Sequence, residues 1–315
     1  MQYGKYHFHC IITKSGQLPA FKGSALRGVF GHAFKKVACA VPRQQCGKCI
    51  LAETCLYNKV FEVNKHKDTS NNKRIAAPPH PYLFEPPETR QTDFPLESYL
   101  DFNLILLGEV NNSLPFFVYA IQKMGQMGIG SRHEDRQICF EVRDIYNTNN
   151  QSIFVAETNQ LKPGPWSTNL NPPSVLTPSQ GELSLRLKTP LRQKNANKLA
   201  NDLPFPILVR AILRRIAAVF TAHAQNEPDL DYKGLIKRAD DVGILESNLR
   251  WQDIRRYSNR QKSGMLMGGL VGGITYGGTV GEYAPLLELA QYLHLGKQTT
   301  FGLGKISYSY QENKA

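Results

Sequence analysis

The sequence predicts an α+β protein of two similar modules in tandem, each ordered strand, helix, strand region, helix, glycine-rich turn, strand. Three observations predict it. The chain has 315 residues, about twice the size of an ordinary domain. The same order of elements occurs on either side of a tract rich in Pro, Ser, Asn and Gly. The helix, glycine turn and strand of AIQKMGQMGIGSRHEDRQICFEV return near the end as LAQYLHLGKQTTFGLGKISYSY. The match lies in layout and not in letters.

Residues 3–13, YGKYHFHCIIT, mix apolar and polar side chains as a strand does, and Gly16 and Pro19 break the run. In residues 24–37 the apolar positions Leu26, Val29, Phe30, Ala33, Phe34 and Val37 recur at helical spacing, so this stretch is an amphipathic helix. A polar, proline-rich tract covers residues 64–87, and KHKDTSNNKR within it reads as disordered. Residues 99–107, YLDFNLILL, read as a buried strand, 114–126 as a helix, GIGSR as a turn and 138–145 as a strand. A hairpin turn at 147–151 leads into Ile153, Phe154 and Val155. The predicted organisation is a first module over 1–160, a linker over 161–180 and a second module over 181–315.

In the second module Leu183, Leu185 and Leu187 alternate with polar residues as a strand, and a proline-flanked helix runs over about 207–222. Residues 265–276 form a glycine-rich strand region, 285–294 a helix and 305–310 the last strand. Two βαββαβ units make a tandem ferredoxin-like, RRM-like layout, with the cysteine cluster inserted in the first unit. The sheet face and glycine-rich edge of that layout commonly hold single-stranded RNA.

Charge points the same way. There are 38 Lys+Arg against 26 Asp+Glu, a net +12, which favours a polyanionic partner. With 41% apolar and 20% charged residues, and no apolar run long enough for a membrane-spanning helix, neither a membrane protein nor a largely disordered chain is expected. The opening Met1-Gln2-Tyr3-Gly4-Lys5 lacks the layout of a signal peptide, so a cytoplasmic location is expected.

Of the six cysteines, Cys10 and Cys139 are isolated, and Cys39, Cys46, Cys49 and Cys55 fall in CAVPRQQCGKCILAETC. A disulfide framework is not expected in a cytosolic chain of this length. Their C-x6-C-x2-C-x5-C spacing suits a structural metal clasp, for zinc or an iron–sulfur cluster; the alternative is cysteines packed as small apolar residues. Four thiolates leave no open coordination position, so a metal here would not be catalytic.

The segment GKQTTFGLG offers an anion cradle. Gly296, Gly302 and Gly304 let the backbone approach a phosphate, and Lys297, Gln298, Thr299 and Thr300 supply charge and polar donors. The alternative is a tight turn between packed elements. A P-loop is excluded, because Lys297 is followed by Gln298 and the segment runs from helix to strand. A second basic concentration, WQDIRRYSNRQK, interleaves Arg255, Arg256, Arg260 and Lys262 with Trp251 and Tyr257, which suits phosphates and stacked bases. Arg210 and Arg214 lie one helical turn apart and either line the same groove or form the wet face of a core helix.

The glycine-rich ending fits G-x-x-x-x-x-G-h-G (h apolar) and resembles the signature of the CRISPR-associated RAMP superfamily. FKGSALRGVFGHAFKKVAC, the clustered cysteines, PHPYLFEPP and RYSNRQKSGMLMGGLVGGITYGG look like its repeat-processing endoribonuclease branch. The likeness covers nearly the whole chain; one departure is His294, where the fuller motif often has glycine. The resemblance implies tandem ferredoxin-like domains and binding of CRISPR repeat RNA, with effector-complex subunits as further partners and no membrane. It implies metal-independent cleavage, in which a ribose 2′-OH attacks the adjacent phosphate and leaves 2′,3′-cyclic phosphate and 5′-OH ends. The alternative it carries is a non-catalytic RAMP scaffold that holds guide RNA.

The family places a histidine on or near the first helix, which here is His32. It lies on the polar side of that helix, with Gly28 one turn before and Lys35 and Lys36 one turn after. An imidazole can move the proton, Gly28 leaves room for a backbone, and Lys35 or Lys36 can stabilise the extra negative charge on the phosphorane. No cofactor is expected for the cleavage itself. His133 is the rival, weakened by the adjacent Glu134 and Asp135, which would repel a phosphate. His7 and His9 read as packing or surface residues and His80 as structural.

Overall fold

The computed structural model describes residues 1–63, 78–131, 136–173, 177–195, 198–199, 202–258 and 263–313. The chain divides into two compact units, Met1–Leu170 and Asn171–Ala315. His133, Arg260, Lys262 and most of the 64–87 tract lie outside the described residues.

The N-terminal unit runs β1 (Gln2–Lys14), α1 (Gly23–Ala38), α2 (Leu56–Phe61), β2 (Tyr82–Glu85), β3 (Tyr99–Leu107), α3 (Leu114–Met127) and β4 (Cys139–Tyr146). Its antiparallel sheet has the order β2-β3-β1-β4. Alternation along β1 decides what is covered. Tyr6, Phe8, Cys10 and Ile12 are buried on one face with Phe30 and Phe34 of α1 and Phe117 and Ile121 of α3. Lys5, His7 and His9 take the other face and pair with neighbouring strands. Lys5 Nζ lies 2.9 Å from Glu85, His7 Nδ1 is 3.0 Å from Asn103 Oδ1, and His9 Nδ1 is 2.8 Å from Asp101 Oδ1.

Two expectations change here. The polar tract contains a buried strand, Tyr82–Glu85, which its flanking prolines and short length concealed. The 161–180 stretch is also more than a linker. Thr168 and Asn169 pair with Tyr3 and Gln2, and the Met1 ammonium donates to Leu170 O at 3.0 Å. Trp166 packs against the first unit's core. Composition marked this segment as loose, whereas pairing to a distant strand orders it.

At the start of α1, Lys22 is completely buried and its ammonium donates to the carbonyls of Ala20, Thr89 and Gln91. Burial lowers its pKa, and the three acceptors compensate for lost water. The helix that carries His32 therefore begins at a fixed point.

The C-terminal unit runs β5 (Gln180–Leu191), α4 (Phe205–His223), α5 (Tyr232–Arg238), β6 (Gly243–Ser247), β7 (Arg250–Gln252), β8 (Arg255–Ser258), β9 (Ser263–Leu266), β10 (Gly269–Thr279), α6 (Ala284–Leu293) and β11 (Ile306–Glu312). Its main sheet has the order β6-β10-β5-β11, antiparallel throughout. Each unit thus places its last strand beside its first and its third beside its second, the ferredoxin-like order. The predicted strand region 265–276 is two elements: β9 forms a hairpin with β8, and β10 enters the sheet. Arg238 holds the buried Glu282 carboxylate with two hydrogen bonds of 2.8 Å, tying α5 to the turn before α6. Among the described residues, no helix is long and apolar enough to cross a membrane.

Helix α3 approaches β4 so closely that a Cβ at Gly125 would collide with the Phe140 carbonyl. Gly125→Ala should cost about 1–3 kcal/mol through overpacking, read as a lower denaturant midpoint with an unchanged slope.

Candidate functional site

Helix α1 presents its predicted polar side. Gly28, His32 and Lys36 are exposed at four-residue intervals, while Leu26, Phe30, Ala33 and Phe34 enter the core. Among the described residues, nothing beyond the adjoining helix backbone lies within 4 Å of a Cβ built on Gly28, so the surface beside His32 has room for a ligand. The two lysines differ. Lys35 leans over the Tyr57 ring, 5.6 Å from its centroid, whereas Lys36 is exposed on the His32 face.

The cysteine segment follows α1 directly. All six cysteines are thiols. Cys55 Sγ approaches Ala38 O at 3.9 Å, and Cys49 N donates to Cys46 O at 3.3 Å. Among the described residues, no group of three or more His, Cys, Asp or Glu side chains converges as a metal site. Cys39, Cys46, Cys49 and Cys55 have the spacing of a clasp without its geometry here, so no chemistry is derived through a metal. Spacing along the chain sets only reach; convergence depends on how the loop folds.

In the second unit the glycine-rich segment joins α6 to β11 against the end of β5. His294, at φ 55°, stands where the related motif often has glycine; its side chain is buried and Nδ1 lies 3.1 Å from Leu303 O. A Cβ on Gly296 would lie 2.6 Å from Arg192 O, and one on Gly304 would collide with Leu295 O. Both glycines have positive φ, at 76° and 74°. The turn is sewn shut by Leu295 N to Gly304 O at 2.9 Å, Lys297 N to Arg192 O at 3.0 Å and Gly304 N to Pro190 O at 3.1 Å.

The turn's side chains divide accordingly. Lys297 is exposed, while Thr299 and Thr300 are each only 8% exposed and largely face the protein. Gln298 has a left-handed backbone at φ 64° and a buried Oε1 without a hydrogen-bond partner among the described residues. The β8–β9 hairpin joins this turn to the second basic concentration. The Arg256 guanidinium stacks over Phe301 at 4.6 Å, with Nη2 3.3 Å from Met265 Sδ, and Arg255 is exposed beside it. The structure thus brings Arg256 to the glycine turn, about 45 positions later in the chain, and Arg255 is its exposed neighbour on the same strand. Arg210 and Arg214 are exposed on α4.

Two supporting residues escaped the sequence reading. Arg215 Nε and Nη2 donate to Leu293 O at 3.1 and 2.8 Å, capping α6 where the turn begins. Burial brings its pKa down to about 10. Thr189 Oγ1 donates to Gly302 O at 2.8 Å and accepts from Lys305 N at 2.9 Å, bridging both sides of the turn. Nothing local marks either one; an arginine inside an apolar helical stripe was the only available signal.

The model of the CRISPR-associated endoribonuclease Cas6 family matches residues 185–306, and a model described as an N-terminal domain matches residues 1–166. Among solved structures, Thermus thermophilus Cas6 is similar with a TM-score of 0.52 at 14% identity, over 98% of this chain and 98% of that one. A Cas6 product complex gives 0.55 at 14%, over 98% and 99%. A partial Cas6-RT-Cas1–Cas2 complex gives 0.56 at 12%, over 100% of this chain and 47% of the other, so this chain spans about half of that one. At these identities the likeness is one of fold. No curated protein matches by sequence.

The geometry of the turn predicts that Gly304→Ala, which meets both a left-handed backbone and the Leu295 carbonyl, destabilises the chain by at least about 2 kcal/mol. Gly264→Ala on β9, where no described residue lies within 4 Å of the added Cβ, should change stability by no more than about 0.5 kcal/mol. Thermal melts of the two variants side by side check this.

Proposed function

We propose that this chain, whose residues 185–306 match the model of the CRISPR-associated endoribonuclease Cas6 family, cuts CRISPR precursor RNA within the repeat, using His32 as the proton-transfer group and no metal in the chemical step. The observation that carries the assignment of His32 is its placement. It is an exposed imidazole on the ordered helix α1, beside the open surface at Gly28 and one turn from an exposed cation at Lys36.

In this reading the ribose 2′-oxygen attacks the adjacent phosphorus and forms the P–O2′ bond as the P–O5′ bond breaks. His32 moves one proton, either off the 2′-OH or onto the departing 5′-oxygen, and the proton at the other oxygen exchanges with solvent. The products are a 2′,3′-cyclic phosphate and a 5′-OH, so protons balance and no water is consumed. Lys36 stabilises the added negative charge on the phosphorane. Lys35, held over Tyr57, shapes the helix end and has the smaller electrostatic role. General acid–base catalysis supplies about 10²- to 10⁴-fold, and alignment together with the cation supplies the remainder.

On the C-terminal unit, Lys297 and Arg255 contact the phosphate backbone, and Arg256, braced on Phe301, holds the β8–β9 hairpin beside the turn. The glycines of the turn shape the surface. Much of their neighbouring amide capacity is committed to Pro190, Arg192 and Thr299, so binding rests more on side-chain cations than on a backbone cradle.

Three outcomes are expected with labelled repeat RNA. Cleavage persists in EDTA, a 2′-deoxy substitution at the cut position abolishes it, and His32→Ala lowers the single-turnover rate about 10²- to 10⁴-fold while binding is retained. Undiminished cleavage by His32→Ala would remove that residue from the chemistry. Binding without cleavage by every form would assign the chain a scaffold role. In a separate binding series, Lys297→Ala should weaken affinity across different RNA sequences alike and flatten the salt dependence by roughly 0.7 in log–log slope, as expected for one phosphate contact on a single strand.

A further inference from the structure

Beyond α1 the chain forms a short projection whose tip, residues 43–51, takes no part in the chemistry above. Ile50 is 90% exposed, and its neighbour Leu51 is 39% exposed. Single exposed apolar residues are ordinary on protein surfaces. This pair stands out because an ordered scaffold holds it in solvent. Gln44 Nε2 donates to Lys48 O at 2.8 Å, Lys48 N to Gln45 O at 3.0 Å, Ala52 N to Cys49 O at 3.0 Å and Cys55 N to Leu51 O at 2.8 Å. The base of the projection is anchored in turn, since Phe61 of α2 packs on Phe30 and Phe34 of α1 with ring centroids 5.8 and 5.7 Å apart. The exposure is therefore built into an organised loop, on the same elements that carry His32.

Charge identifies what the tip meets. Arg43 and Lys48 are both exposed in this loop, seven and two positions before Ile50, and the first 52 residues of the chain contain no aspartate or glutamate. The nearest acid along the chain is the exposed Glu53, one charge against the three exposed cations Arg43, Lys48 and Lys36 of α1. Apolar surface in a loop that also presents two cations suits a nucleic-acid strand, which offers phosphates next to each base face. Isoleucine is also among the side chains that wedge against or between bases.

We infer that this tip is a second RNA contact, in which Ile50 packs on a base and Arg43 and Lys48 hold the flanking phosphates. The inference rests on the RNA-processing reading and assigns part of the substrate grip to the N-terminal unit, outside the glycine turn and the β8–β9 hairpin. It requires nothing of the cysteines. The tip secures RNA without touching the reacting phosphate, so its removal weakens binding and leaves the chemical step unchanged.

The test is equilibrium binding of labelled repeat RNA over a salt series by the intact protein, by Arg43→Ala/Lys48→Ala and by Ile50→Ser, together with single-turnover cleavage at saturating protein. The double variant should flatten the log–log salt slope by roughly 1.4, two single-strand phosphate contacts at about 0.7 each. Ile50→Ser should weaken affinity roughly fivefold with the slope unchanged, since it removes apolar contact and no charge. Saturated cleavage rates should stay within about twofold of the intact protein, the fold change in a rate being what a catalytic role would enlarge. All three side chains are exposed, and circular dichroism verifies that the variants are folded. Wild-type affinity and slope in both variants overturn the inference and leave the tip to a protein partner, while the processing reading stands. Failure of the intact protein to bind or cut any repeat RNA overturns the processing reading itself, and this inference with it.

Discussion

The passage from α6 into β11 depends on one steric fact: the backbone crosses itself where there is no room for a side chain. A Cβ on Gly304 would occupy the place of the Leu295 carbonyl, and one on Gly296 would crowd Arg192 O. With hydrogen there instead, Leu295 N and Gly304 O bond at 2.9 Å and the turn closes on the end of β5. The rest of the C-terminal surface follows from this closure. Phe301 comes to rest under Arg256, Thr189 reaches both sides of the turn, and Lys297 is left facing solvent. A glycine signature that looks like a ligand cradle in one dimension is first a packing requirement, and the ligand surface is what that packing exposes.

The N-terminal unit solves a different problem, which is to hold an unburied histidine in a fixed place. One face of α1 is locked by aromatic packing through Phe30 and Phe34, and its start is pinned by the buried Lys22. Only the opposite face is free to present Gly28, His32 and Lys36. The first 52 positions carry basic residues and no acidic ones, a balance that favours an anionic partner. Rigidity on one side and charge on the other are the two properties that the proton-transfer role proposed for His32 requires.

Local pattern and tertiary context contributed unequally. Strands 99–107 and 138–145 and the helices at 24–37 and 114–126 were legible because burial on one face imposes a period on the residues themselves. The strand at Tyr82–Glu85 was not, since four buried residues between prolines carry no period; it exists because β3 offers it an edge. The segment at 168–169 likewise owes its order to β1, more than 160 positions away. The cysteines show the converse case. Their spacing permits convergence, yet the loop that carries them does not converge.

By itself, then, the sequence determined two ferredoxin-like units, a basic character and the chemical types of the candidate site, because periodicity, charge and the glycine pattern are written in residue identity. Only the tertiary structure decided that Lys36 and not Lys35 stands free beside His32. It alone placed Arg256 on Phe301, gave Arg215 and Thr189 the task of bracing the turn, and left Ile50 in solvent. Each of these depends on which distant side chain or carbonyl comes within reach, and the spacing of residues along a chain does not carry that distance.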